Sequence, residues 1–232
     1  MIPVHHLDDA TLLSYASGAL PEAMVIVAST HLEVCSHCRN QLQDADTLGG
    51  LLLVQQQLPD NDAVAHRLHS LRAALTLQLE DELAPDVALD AAAASSTTDV
   101  AVTPDPDWLP TPLHAYFGAR YSELRWRWVG PGMHCIRASK VGDNHLILLK
   151  IAPGRSLPLH SHGGNEMTQI LRGAYNDSLG HFAAGDMADL DASTIHQPVT
   201  CPGVACICVA ALDAPLVFSG WFARKLQPLV GL

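Results

Sequence analysis

The sequence predicts an α+β chain of two unlike domains, a small all-α domain followed by an all-β sandwich or barrel. Three observations predict it. Residues up to about 83 carry helix caps and helical spacing of apolar side chains. Residues 84–107, "APDVALDAAAASSTTDVAVTPDPD", hold mainly Ala, Ser, Thr, Asp and Pro and no aromatic residue. From Trp108 onward, short apolar runs are punctuated by Gly and Pro. A chain of 232 residues is long enough for one large or two small cores.

In the front segment, Asp8 and Asp9 are capping candidates for a helix over "ATLLSYASG", with Gly18 as its stop. Pro21 can open a second helix, "PEAMVIVASTHLEVC". A third begins near Ser36 and continues to about Gln57. A fourth covers 60–83, where Val64, Leu68, Leu71, Leu75 and Leu79 recur at helical spacing. The composition of 84–107 reads as a flexible linker, leaving 1–83 and 108–232 as the two domains. Behind it, "ELRWRWV", "NHLILLKI", "MTQILRG", "VACICVAAL" and "LVFSGWF" are the strand candidates, with no helix between them. Trp126 and Trp128, interleaved with Arg125 and Arg127, fit an alternating strand better than a nucleic-acid patch.

Charge narrows the function. The chain has 13 Lys and Arg against 24 Asp and Glu, a formal net of −11. Residues 1–83 hold 11 acidic and 3 basic side chains, net −8; 108–232 hold 8 and 10, net +2. An acidic front half argues against direct DNA binding, which depends on Lys and Arg neutralising phosphates. It suits docking onto a basic protein surface. No segment reads as a signal peptide or a membrane span, so a soluble cytoplasmic protein is expected. Its six cysteines would then meet reducing conditions, where metal binding or redox chemistry is favoured over disulfides.

Two stretches carry metal chemistry. In "HLEVCSHCRNQL", His31 and Cys35 are i and i+4 on one helix face, and Cys38 follows three residues later. Imidazole and thiolate at this spacing suit tetrahedral zinc in a structural site. The fourth position is open to water, to His5 or His6 ahead of the first helix, or to His37, which is poorly placed beside Cys38. This pattern in a short acidic helical segment resembles the zinc-binding anti-sigma domain of bacterial regulators. The resemblance implies His6 as the fourth ligand and an extracytoplasmic-function sigma factor as partner.

The second stretch is "GRSLPLHSHGGNEMTQILRG" (154–173). His160 and His162 share one face of a strand, and Gly163 and Gly164 permit a bend that returns Glu166 to the same centre. His196 offers a third imidazole beyond a hairpin near "HFAAGD". Such a set takes zinc or another divalent transition metal. The string satisfies Gly-x5-His-x-His-x3-Glu-x6-Gly, the first cupin motif, and His196 lies where the second motif places its histidine. It therefore resembles the cupins, jelly-roll barrels with the metal inside.

A zinc anti-sigma domain followed by a cupin resembles the ChrR family of anti-sigma factors. That resemblance implies a regulator with no enzymatic activity, which restrains a group IV sigma factor and frees it on singlet oxygen or organic hydroperoxide. Cys206 and Cys208 look like a Cys-x-Cys of that family. Alternation puts both sulfurs on one strand face, where they are candidates for redox chemistry or plain apolar packing. The rival reading is a cupin metalloenzyme, a dioxygenase or isomerase, carrying a helical zinc interaction domain.

Overall fold

The structure is a computed structural model that describes residues 2–55, 66–67, 69–74, 105–139, 141–142, 144–214 and 216–218. Helix α1 spans Asp9–Ala16, and Asp8 is its cap, Oδ1 accepting from the Ala10 amide at 2.8 Å. Helix α2 spans Glu22–Val34, entered from Pro21, and α3 spans Ser36–Gln55. Cys35 separates the last two in an extended conformation, so the chain turns there. Of the expected fourth helix, 66–67 and 69–74 are helical; its remainder, and 84–104 of the expected linker, lie outside the described residues.

Among the described residues twelve antiparallel strands follow: β1 (Arg127–Gly130), β2 (Met133–Arg137), β3 (His145–Ile151), β4 (His160–His162), β5 (Glu166–Arg172), β6 (Ala174–Asp177), β7 (Gly180–Ala183), β8 (Met187–Leu190), β9 (Ile195–His196), β10 (Val199–Thr200), β11 (Cys206–Leu212) and β12 (Leu216–Phe218). A six-stranded sheet runs β1-β2-β3-β11-β5-β8, with three-stranded sheets β10-β6-β7 and β12-β4-β9. β11 is its best-buried strand, lying between β3 and β5 with all seven residues buried. Gly173 ends β5 at φ +72, and a Cβ there would come within 2.7 Å of the Ala205 carbonyl. The motif's last glycine is thus the price of packing β5 tightly against the start of β11.

Two features differ from the sequence expectation. Residues 105–107, assigned to the linker, are anchored: Asp105 and Asp107 both engage Arg120, and Asp107 takes the Ser122 amide and hydroxyl. More consequentially, α1 and α2 do not form a core of their own. Ala23, Met24, Val27 and Ala28 of α2 share one apolar cluster with Leu146, Leu148, Met167 and Val209 of the large sheet. Residues 1–49 and 105–232 accordingly form one compact unit, and 50–104 a second.

Candidate metal centres

The front centre is assembled at the turn between α2 and α3. His31, fully buried, sits one helical turn before Cys35, and Cys38 falls in the first turn of α3. The Cys38 amide, free at a helix start, donates to the Cys35 sulfur at 3.4 Å. His6 arrives from the N-terminal segment, its Nδ1 3.2 Å from Cys35 Sγ; His31 Nε2 is 3.3 Å from Cys38 Sγ. One ligand atom from each of the four residues lies within 4.8 Å of the others. A zinc tetrahedron with ordinary Zn–S and Zn–N lengths has mixed edges of about 3.5 Å, so the set fits that ion.

The protonation pattern fits as well. His31 donates Nδ1–H to the Gly185 carbonyl at 3.0 Å, which leaves Nε2 as a lone pair facing Cys38. Burial, partly offset by that carbonyl, holds the imidazole down at about 4, so it is neutral near pH 7. Burial likewise pushes the Cys38 thiol up to about 12, a cost that a bound cation reverses. His5 and His37 are not in the group. His5 stacks on Phe182 with ring centroids 4.0 Å apart, and His37 tilts against the His6 ring at 4.3 Å.

The second centre lies inside the barrel. His160 of β4 is directly opposite His196 of β9, and His162 lies two residues on, on the same face. Their three rings bring ligand atoms within 4.8 Å of one another, all buried. His160 donates Nδ1–H to the Pro158 carbonyl at 2.8 Å, and His196 donates Nδ1–H to Asp177 Oδ2 at 2.9 Å. Their Nε2 atoms therefore both carry lone pairs, and these face each other at 3.1 Å. Two lone pairs at that distance repel unless a proton or a cation lies between them.

Glu166, first in β5, adds a carboxylate from the His162 side. Its Oε2 is 2.8 Å from His162 Nε2, and Oε1 accepts from the Thr168 hydroxyl at 2.8 Å. The group of ligand atoms within 4.8 Å of one another comprises the three histidines; Glu166, paired with His162, is not in it. Burial pushes the Glu166 carboxyl up, but His162 and His160 outweigh it and hold it at about 2. The bend at 163–164 is secured by Asp213, whose carboxylate takes the Asn165 amide; a side chain at Gly164 would collide with it.

A cavity of about 60 Å³ opens beside this centre, lined by His160, Glu166, His196, Tyr175 and Cys208 among others. Both cysteines pack in the apolar cluster with Ile170 and Tyr175, and Cys208 alone of the two also lines the cavity. Burial pushes the Cys206 thiol up to about 12 and Cys208 well above the ordinary range. Sequence reasoning missed Asp177, Thr168 and Gly185, which hydrogen-bond the candidate ligands His196, Glu166 and His31. An Asp opening the turn "DSLG" between two strands was the one available signal, for Asp177.

The ChrR cupin-like domain family matches residues 115–214. Over 224 residues the chain is 35% identical to the anti-sigma-E factor ChrR of Cereibacter sphaeroides, covering 97% of this chain and 96% of that protein. The crystal structure of Rhodobacter sphaeroides SigE in complex with the anti-sigma ChrR aligns at 32% identity with a TM-score of 0.68, over 90% of this chain and 98% of that one. With that identity carried through helices and barrel alike, the chain belongs to the ChrR family of anti-sigma factors.

Proposed function

We propose that this chain is a cytoplasmic anti-sigma factor whose front helices, braced by zinc at His6, His31, Cys35 and Cys38, sequester an extracytoplasmic-function sigma factor. The barrel centre at His160, His162, Glu166 and His196, holding zinc or another divalent transition metal, makes that grip sensitive to singlet oxygen or an organic hydroperoxide. The observation that carries the reading is the front cluster of four ligand atoms, in a chain similar from end to end to the anti-sigma-E factor ChrR. Helix α3 supports it further. Leu48, Leu51, Leu52, Leu53 and Val54 are exposed, Val54 to 84%, which is more apolar surface than a solvated helix needs. The acidity of 1–83 suits a basic partner.

Bound zinc supplies cross-linking of α2, α3 and the N-terminal segment, which fixes the helix geometry offered to the partner. In the barrel, Cys208 stands where an oxidant entering the cavity would meet it beside the metal ligands, and Cys206 lies two residues back along β11. Among the described residues no helix is long and apolar enough to cross a membrane. The test is co-purification of tagged full-length chain from its native cells, with and without His31→Ala. A small sigma factor recovered in stoichiometric amount, and lost with the substitution, is the expected result. Recovery of no sigma factor with the wild-type chain would refute the reading. His160→Ala should leave capture intact and abolish release by oxidant.

A further inference from the structure

The two metal centres draw their ligands from opposite ends of the chain, yet one hairpin touches both. Residues 4–8, which carry His6, lie along β7, β8 and the turn between them. Asp186 in that turn is 4% exposed. Its Oδ1 accepts the amides of Val4 at 2.6 Å and His5 at 3.0 Å, and its Oδ2 accepts the Ala183 amide at 2.8 Å. The His5 carbonyl accepts the Met187 amide at 3.2 Å, and the His5 ring donates Nε2–H to the His181 carbonyl at 3.0 Å. Two residues past His6, the Asp8 amide donates to Asp189 Oδ2 at 3.0 Å. His6 is therefore clamped on both sides by groups of the barrel. One residue before Asp186, the Gly185 carbonyl orients His31. Two of the four front ligands thus depend on this turn.

The other end of the same structure serves the barrel centre. β7 begins at the turn it shares with β6, where Asp177 Oδ2 accepts from His196 Nδ1 and Oδ1 accepts the amides of Leu179 and Gly180. Only the four residues of β7, paired along their length with β6, separate that turn from the one holding His6 and His31.

We propose that Asp186 is a positioning residue for the front metal centre, and that the β6–β7 hairpin relays the state of the barrel centre to it. A change at His196 that releases Asp177 loosens the first turn, and the second turn loses its fixed support. His6 and His31 then hold the front metal less firmly. This rests on the proposed zinc reading of the front cluster and supplies the route by which its grip is regulated. Groups that orient metal ligands typically contribute 10–100-fold in metal affinity.

The experiment uses the full-length chain loaded with zinc at both centres and follows transfer of zinc to the chromophore 4-(2-pyridylazo)resorcinol. His31→Ala and His160→Ala identify the front and barrel phases. Asp186→Asn should accelerate the front phase roughly tenfold or more and leave the barrel phase unchanged. Asp177→Asn should accelerate both. Asp107→Asn, which loses turn hydrogen bonds away from the hairpin, should change neither. With cobalt(II) at the front centre, Asp186→Asn should also shift the thiolate charge-transfer band, which a general loss of stability would not do. A front phase removed by His31→Ala but unaltered by Asp186→Asn overturns the positioning role alone. Acceleration of only the barrel phase by Asp177→Asn overturns the relay. A wild-type chain with no front phase overturns the zinc reading and this inference together.

Discussion

Asp177 offers a sharp test of the barrel centre, because both of its oxygens are committed in different directions. The side chain is fully buried, with Oδ2 on His196 and Oδ1 on two turn amides. Asparagine has nearly the same shape but only one accepting oxygen. Facing the two turn amides, that oxygen leaves the NH2 group opposite His196 Nδ1. The amide then favours the tautomer protonated at Nε2, which has no lone pair for a metal. Metal affinity at the barrel should fall about 10–100-fold, or about 1.4–2.8 kcal/mol. Alanine would leave a buried N–H without a partner, costing about 1–3 kcal/mol of stability, but would not impose the wrong tautomer. Asn should therefore bind metal no better than Ala, despite the closer fit. Competition titration against a chelator, with metal content measured by mass spectrometry, decides it. An Asp177→Asn protein that binds as tightly as wild type, or clearly better than Asp177→Ala, would refute the tautomer argument.

Three further outcomes follow from packing and ionisation. Leu148 is fully buried in the cluster shared by α2 and the large sheet, so Leu148→Ala should cost about 2–5 kcal/mol. Urea unfolding should show helix and barrel signals still moving in a single transition. Gly173→Ala forces a left-handed backbone and a collision with the Ala205 carbonyl. It should destabilise by at least about 2 kcal/mol in thermal melts. In metal-stripped protein, His31 is held at about 4 by burial, against about 6.5 when unfolded. The unfolded state binds the extra proton between those values, so stability is full above pH 6.5 and falls as the pH drops towards 4. The loss reaches about 3 kcal/mol at most, read from denaturation curves at pH 7 and pH 4.5, and His31→Gln should flatten it.

The clustered histidines and cysteines were legible because secondary structure imposes their spacing. His31 and Cys35 are one helical turn apart, and His160 and His162 are one strand repeat apart, so neither pair needs knowledge of the rest of the fold. The fourth member of the front cluster was not legible from spacing, which left His5, His6 and His37 open. The barrel makes the choice: Phe182 and His181 take the His5 ring, and its neighbour His6 turns to the cysteines. The shared core was also hidden, although a signal existed. Ala23, Met24, Ile26, Val27, Ala28, Thr30, His31 and Leu32 are buried around most of α2. A helix apolar over so much of its circumference must be covered on more than one side. Among the described residues the large sheet provides that cover. Asp177 and Asp186 read as ordinary turn residues because their importance lies in what approaches them from distant parts of the chain.

The shared core bears on how such a regulator could let go. A barrel tethered only by a flexible linker could bias the front helices through local concentration alone, with no preferred geometry to lose. Shifting a bound population from 99:1 to 1:99 requires about 5.5 kcal/mol of difference between the two states. Six hydrogen bonds join the front residues to the hairpin region, from the Val4, His5 and Asp8 amides, the His5 carbonyl, and the His5 and His31 rings. At about 1 kcal/mol net apiece they hold on the order of 6 kcal/mol. That is the same size as the shift required. Under the proposed relay, loss of all six contacts sets the upper bound on what damage in the barrel transmits to the front helices.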